Sequence, residues 1–190
     1  MSVNPNTLAK APTVLPSDRL LKAIFGVIDS VQTHRVKPLR AEETLRAAAV
    51  NFTIAYRADA MEQVALVKQG VPADFVQALA KRMSMPKERL AGTLGLASAT
   101  VNRKSRENKP LSRDESSRVL GMARLVGQVQ AMVEESGSPD DFDAATWVAQ
   151  WLDKPLPALG GRRPAELMDT PEGQSLVADL VARLQTGAYA

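Results

Sequence analysis

Residues 87–104 read KERLAGTLGLASATVNRK, and their spacing sets the structural class of the surrounding region. A helix pair that reads DNA needs a small residue in its first helix, a glycine where the turn takes a positive φ, and an apolar anchor in its second helix. Ala91, Gly95 and Val101 stand at these positions, and Ser98 is placed to cap the second helix. The spacing therefore predicts a helix-turn-helix motif.

The two helices of this motif should share an apolar seam and carry their DNA contacts on the outer face of the second helix. The seam comprises Leu90, Leu94 and Leu96, although a generic helical hairpin could also have leucines at such positions. Residues at the start of the second helix are expected to meet base edges, and basic residues further along to meet phosphates. The predicted DNA contacts are Ser98, Ala99, Thr100, Asn102, Arg103, Lys104, Arg106 and Lys109.

Apolar residues recur at helical spacing on both sides of the motif, and no run alternates with period two for long enough to form a strand. The fold class is therefore predicted to be all-α. Before the motif, one helix is predicted to start after Ser17 or Asp18 and to end at Pro38, and a second to run from Ala41 to Gln69, where Gly70 stops it. After the motif, a helix capped by Ser112 is predicted from Leu111 to Glu135, and a helix capped by Ser138 from Asp140 to Leu152. The last predicted helix starts at Pro171, with Thr170 as its cap and Gly187 as its stop.

These patterns divide the chain into four segments. Residues 1–17 are predicted to be a flexible tail, and residues 18–69 an N-terminal helical extension that is a candidate dimerisation region. Residues 70–133 should form the helix-turn-helix domain, and residues 134–190 a small helical domain.

Charge is segregated along the chain. Residues 81–118 carry 10 basic and 4 acidic side chains, whereas residues 134–190 carry 4 basic and 10 acidic ones. Such asymmetry indicates two surfaces with different partners, of which the first attracts polyanions and the second repels them. Chance variation on solvated helix faces is the alternative explanation.

Composition argues against an enzyme. The chain has no cysteine and a single histidine, His34, so thiolate catalysis and Cys-ligated metals are excluded, and any triad would have to use that one imidazole. We expect no catalytic residues, no metal and no cofactor. The longest stretch without charge, residues 90–102, has 13 residues against the ~20 of a membrane-spanning helix. With no secretory signal visible, a cytoplasmic location without membrane contact is expected.

The C-terminal residues resemble a known family. Trp151-Leu152, PLPALGGRRPAELMDTPEG at 155–173 and GAYA at 187–190 are similar to the C-terminal toxin-binding domain of Xre/MbcA/ParS-type antitoxins, and residues 70–133 resemble the Xre-like domain that usually precedes it. The resemblance implies the antitoxin of a type II toxin–antitoxin system. It also implies that the protein covers the active site of a cognate RES-domain toxin that consumes NAD⁺, and that it binds the operator DNA of its own operon.

The expected toxin contacts combine this resemblance with a separate observation on the tryptophans. Trp147 and Trp151 share one helix face, which predicts a small core or, alternatively, a partner anchor, since tryptophan is enriched at interface hot spots. The candidate toxin-binding residues are Trp151, Arg162, Arg163, Arg183, Gly187, Ala188, Tyr189 and Ala190.

The same sequence features are compatible with two rival functions. One is a stand-alone helix-turn-helix transcription regulator without a toxin partner, and the other is an interaction module whose motif has lost DNA binding. A homodimer is expected under the antitoxin interpretation, because two recognition helices on neighbouring half-sites combine their affinities.

Overall fold

The structure is a computed structural model that describes residues 52–137 and 142–185. The described residues form helices joined by turns and irregular loops, with one isolated bridge between Pro72 and Pro110, so the all-α prediction is confirmed. The predicted tail and the first predicted helix lie outside these ranges. The helices are α1 Phe52–Arg57, α2 Ala60–Gln69, α3 Phe75–Arg82, α4 Lys87–Thr93, α5 Ser98–Arg106, α6 Arg113–Glu135, α7 Ala144–Leu152 and α8 Pro171–Gln185, with short 3-10 helices at Pro157–Leu159 and Pro164–Leu167.

Helix α6 forms the centre of the fold, and α1, α2, α7 and α8 all pack against it. It begins with a capping box, in which the Glu115 N–H donates to Ser112 Oγ at 3.3 Å and the Ser112 N–H donates to Glu115 Oε2 at 2.7 Å. The predicted helix with its Ser112 cap is therefore confirmed. Its apolar residues are buried over most of its length, so a single core joins residues 52–137 to residues 142–185.

Helix α1 lies so close to α6 that only glycine fits between them. A Cβ atom at Gly127 would lie 1.9 Å from the Phe52 carbonyl oxygen, which is backbone and cannot swing aside. This close approach buries Phe52 and Ala55 against α6. At least this end of residues 18–69 thus belongs to the common core.

The prediction of one helix from Ala41 to Gln69 is wrong in its described part. Helix α1 ends at Arg57, and Asp59 caps α2 through a second capping box: the Glu62 N–H donates to Asp59 Oδ1 at 2.8 Å, and the Asp59 N–H donates to Glu62 Oε2 at 2.9 Å. Apolar periodicity did not reveal the break, because Ala58 within it is buried as a helical residue would be. The Asp-x-x-Glu spacing was the available signal.

The predicted start of the helix at Asp140 is also wrong. Helix α7 begins at Ala144, because the Asp143 carboxylate accepts hydrogen bonds from the N–H groups of Ala145 and Thr146 at 3.0 and 3.1 Å. The proposed Ser138 cap lies outside the described residues, as does the Gly187 stop of α8. The Thr170 cap is confirmed, since its Oγ1 accepts from the Gly173 N–H at 3.1 Å.

A buried hydroxyl attaches the segment before α3 to α6. Ser116 is fully buried, and its Oγ accepts a hydrogen bond from the Val71 N–H at 2.9 Å, while the Leu111 N–H donates to the Val71 carbonyl at 2.8 Å. These bonds fix where the following helices sit on the central helix.

Candidate functional site

The helix-turn-helix consists of α4, a turn at residues 94–97, and α5. Ala91 and Val101 are each only 1% exposed, and Gly95 has a φ of +61°, which places all three as their spacing predicted. The seam residues Leu90, Leu94 and Leu96 are buried between the helices. Glycine is required at the turn because a side chain with this φ would be strained.

Ser98 does not cap α5. The helix begins at Ser98 itself, so the cap position falls on Ala97, which has extended backbone and no side-chain oxygen to offer. Ser98 is half-buried within the first turn. The predicted cap was wrong by one residue, which is the usual uncertainty of a helix boundary read from sequence.

The outer face of α5 presents Ala99, Arg103 and Arg106, which are exposed and spaced by four and three residues along one side of the helix. Thr100 and Asn102 are half-buried beside them. The structure therefore brings these predicted DNA contacts to one accessible surface. Asn102 accepts a hydrogen bond through Oδ1 from Lys87 Nζ at the start of α4.

Lys104 is less accessible than its neighbours. Its Nζ lies 2.5 Å from Glu115 Oε2, and only 17% of its side chain is exposed. Burial raises the pKa of Glu115, but the hydrogen bonds from Lys104 and Ser112 lower it by more than burial raises it. The pKa of Glu115 therefore lies below its ordinary value. A phosphate contact by Lys104, which stays a prediction, would compete with this ion pair.

An acidic side chain also sits among the exposed cations. Glu107 Oε2 lies 2.8 Å from Lys109 Nζ and 3.4 Å from Arg103 Nη1. The hydrogen bond from Lys109 is the main cause that lowers the pKa of Glu107, and Arg103 adds to it. Glu107 therefore stays charged at neutral pH and offsets part of the positive charge of this face.

Arg118 on α6 holds the turn of the motif, a role that the sequence did not indicate. Its Nη1 donates to the carbonyl oxygens of Leu94 and Gly95 at 2.8 and 2.9 Å, and its Nη2 donates to Asp114 Oδ2 at 2.6 Å. Only 13% of this side chain is exposed. The Asp114–Arg118 spacing is that of an ordinary helical ion pair, whereas the contact with the turn depends on how α6 packs.

Residues 142–185, here called the C-terminal unit, pack directly against this arrangement. Gln174 on α8 is 9% exposed, and its Nε2 donates to the carbonyl oxygens of Arg118 at 3.0 Å and Met168 at 2.8 Å. Asp169 lies beside the turn: a Cβ atom added at Gly95 would be 3.1 Å from the Cβ atom of Asp169. The C-terminal unit thus supports α6 behind the motif.

The two tryptophans stack on each other, with ring centroids 5.8 Å apart and planes 11° apart. Trp151 is 7% exposed and belongs to the core, whereas Trp147 is half-buried and also meets Phe142 at 6.1 Å. Contact of Trp151 with a toxin stays a prediction. Because Trp151 is buried, Trp147 is the better placed of the two for contact with a partner, which can reach Trp147 without opening the core.

The predicted arginine contacts of the C-terminal unit are all exposed. Arg162 and Arg163 follow Gly160 and Gly161, which have φ values of +64° and +83° and form a tight turn. Arg163 Nε donates to Glu166 Oε1 at 3.0 Å, and this hydrogen bond is the main cause that lowers the pKa of Glu166. Arg183 lies in the last turn of α8. The remaining candidates, Gly187, Ala188, Tyr189 and Ala190, lie outside the described residues.

Residues 52–137 and 142–185 contain no cluster of three or more His, Asp or Glu side chains arranged to hold a metal ion. Within the same ranges, no helix is both long enough and apolar enough to cross a membrane.

Comparison with known proteins identifies two domains in the chain. Residues 62–124 match the antitoxin Xre-like helix-turn-helix domain, and residues 139–187 match the antitoxin Xre/MbcA/ParS C-terminal toxin-binding domain.

Curated relatives agree with these matches. A protein of Sphingobium sp. (strain YBL2) named Prs ADP-ribosylating antitoxin is 45% identical over 135 residues, which cover 71% of this chain and 85% of the relative. Proteins named antitoxin Xre from Yersinia enterocolitica (strain NCTC 13174 / 8081) and Photorhabdus laumondii (strain DSM 15139 / CIP 105565 / TT01) are 29% and 24% identical, each over 65% of this chain and 78% of the relative. The chain therefore belongs to the Xre family of antitoxins, which join a helix-turn-helix domain to a C-terminal toxin-binding domain.

Proposed function

We propose that this antitoxin acts in the cytoplasm, inhibits a RES-type toxin that consumes NAD⁺ by covering the toxin's active site with its C-terminal domain, and represses its own operon through α5. It has no catalytic role of its own in this proposal. The observation that carries it is that each matched domain keeps an accessible basic feature: Arg103 and Arg106 on α5, and Arg162 and Arg163 in the C-terminal unit.

The nature of the toxin is supported by the name of the Sphingobium relative, which couples an antitoxin with ADP-ribosylation. ADP-ribosyl transfer takes its ADP-ribose from NAD⁺, so a toxin of this chemistry needs an NAD⁺ site that an inhibitor can block. Arg183 at the end of α8 and residues 187–190 are the proposed blocking segment, with Arg162 and Arg163 as further contacts.

Operator binding is supported by the geometry of the motif. The buried seam fixes α5 against α4, which leaves Ala99, Arg103 and Arg106 facing outward, as a helix that enters the major groove requires. Exposed arginines contact phosphates and guanine edges, so they supply affinity and part of the specificity.

A homodimer completes the proposal, and α2 is the region that we assign to it. Met61 is 75% exposed and Val64 44% exposed, and Val64 borders a groove of about 520 Å³ between α2 and α6. Exposed apolar side chains beside such a groove favour association with a second copy. Replacing Met61 by Glu should shift the mass measured by light scattering from dimer to monomer. An unchanged mass would contradict the assignment of the dimer interface to α2.

The proposal is tested by expressing the neighbouring gene alone, with the full antitoxin, and with the antitoxin truncated after Thr186, while growth and the NAD⁺ pool are followed. The neighbour alone should arrest growth and deplete NAD⁺, the full chain should restore both, and the truncated chain should not. The double variant Arg103→Ala, Arg106→Ala is the matched control, since it should still neutralise the toxin while losing operator binding. A harmless neighbour combined with intact promoter binding would instead favour a stand-alone regulator.

A further inference from the structure

We propose that Lys87 orients the side-chain amide of Asn102, so that Asn102 offers only its Nδ2 donors to DNA and selects guanine over adenine at the base pair it meets. This inference rests on the proposed DNA binding by α5. It assigns a positioning role to Lys87, a residue of α4 that is not among the predicted DNA contacts.

The chemistry of the pair fixes the orientation of the amide. Lys87 Nζ hydrogen bonds to the Asn102 side chain across the two helices of the motif. A lysine ammonium group can only donate, so the amide atom that faces it must be Oδ1. The Nδ2 group consequently points away from Lys87, and among the described residues no acceptor is found for it.

The surroundings favour persistence of this bond. Lys87 and Asn102 are both half-buried, so water competes for the bond less than at a fully exposed pair. Within the described ranges, no carboxylate forms an ion pair with Lys87 that would draw its ammonium group away. A charged donor also makes a stronger hydrogen bond than a neutral one.

The orientation matters because asparagine normally reads adenine with both ends of its amide, accepting from N6 and donating to N7. With Oδ1 bonded to Lys87 and directed toward α4, the amide can no longer present its oxygen and its nitrogen side by side to adenine, although Oδ1 keeps a second lone pair. Guanine presents two acceptors, O6 and N7, in the major groove, and both suit a group that can only donate. The same asparagine is thereby changed from a reader of adenine into a reader of guanine.

The test measures base preference with the full-length protein and a library of randomised DNA duplexes, followed by affinity measurements on the selected site and its single-base variants. The wild type should prefer guanine at one position, and Asn102→Ala should lose preference at that position alone. Lys87→Met should shift the guanine-to-adenine affinity ratio there by about tenfold toward adenine, the size expected for one base contact. Lys87→Arg, which keeps the donor, should retain the guanine preference.

Lys81→Met serves as the matched control, because Lys81 is an exposed lysine at the end of α3 and its loss removes the same charge. It should leave the ratio unchanged. Lys87→Leu gives a second route if Lys87→Met fails to fold, since it also removes the donor to Asn102 and should shift the ratio toward adenine in the same way.

The outcomes separate this inference from the proposed function. A wild type that selects a defined site, together with a Lys87→Met variant whose guanine-to-adenine ratio is unchanged, overturns the role of Lys87 and leaves operator binding standing. A wild type that shows no sequence preference overturns both the role of Lys87 and the proposed binding to operator DNA.

Discussion

The helix-turn-helix and the C-terminal unit differ in the span of chain over which a cation is paired with an acidic side chain. Around α5, Arg103 and Lys109 share Glu107, and Lys104 on α5 is paired with Glu115 on α6, so the phosphate contacts proposed for these cations would compete with existing acidic partners. In the C-terminal unit, Arg163 pairs with a near neighbour, Glu166, on a tight glycine turn. We therefore expect the basic motif to bind polyanions more weakly than its charge count alone indicates.

The largest expected effect concerns the buried side of the C-terminal unit. Trp151→Ala should lower the free energy of unfolding by about 4 kcal/mol, because it leaves a large cavity in the core. Trp147→Ala should cost less stability and instead weaken toxin binding. Chemical denaturation and titration with the toxin measure the two quantities, and Trp151→Phe provides a folded variant if the alanine variant does not fold. Equal losses of stability for the two alanine variants would contradict the burial difference.

The next effect concerns the hydrogen bonds from Arg118 to the turn of the helix-turn-helix. Arg118→Met should lower the free energy of unfolding by about 2 kcal/mol, since it leaves the carbonyl groups of Leu94 and Gly95 without their charged donor. DNA affinity should fall with it, whereas toxin binding should persist. Arg57→Met, which removes an exposed arginine at the end of α1, is the charge-matched control and should change neither quantity appreciably. A melting curve and a DNA titration decide the outcome.

The third effect compares two neighbouring cations of α5. Arg103→Met should weaken DNA binding by about tenfold, because its side chain is 59% exposed and only loosely paired with Glu107. Lys104→Met should weaken binding less and destabilise the fold more, since it breaks the close pair with Glu115. The salt dependence of DNA affinity should become shallower for Arg103→Met. The reverse order of the two variants would show that DNA displaces Glu115.

The smallest effect is a dependence of stability on pH. The pKa of Glu115 is lower in the folded chain, so its contribution to stability is present above the unfolded pKa of about 4.3 and is lost as pH falls through the folded pKa. Glu115→Gln keeps an oxygen that can complete the capping box but cannot titrate. Between pH 7 and pH 3, the wild type should therefore lose slightly more stability than this variant. Parallel stability curves would contradict the pairing.

Local sequence predicted the helices and the motif well where the signals lay within four residues. The Ser112 and Thr170 caps and the positive φ at Gly95 are all confirmed. Apolar spacing failed at Asp59, where a buried alanine continued the pattern through a break, and the Ser98 cap was misplaced by one residue. Such errors arise because periodicity records burial and says little about where the backbone hydrogen bonding is interrupted.

Sequence alone therefore established the all-α class, the buried seam of the motif and the segregation of charge, because each depends on residue type at short spacing. The packing of the described helices determined which polar groups form hydrogen bonds with one another. Lys87 reaches Asn102 across 15 residues, Arg118 reaches Leu94 across 24, and Gln174 reaches Arg118 across 56. No periodic pattern carries such pairings, since they exist only once α4, α6 and α8 have been brought together around one core.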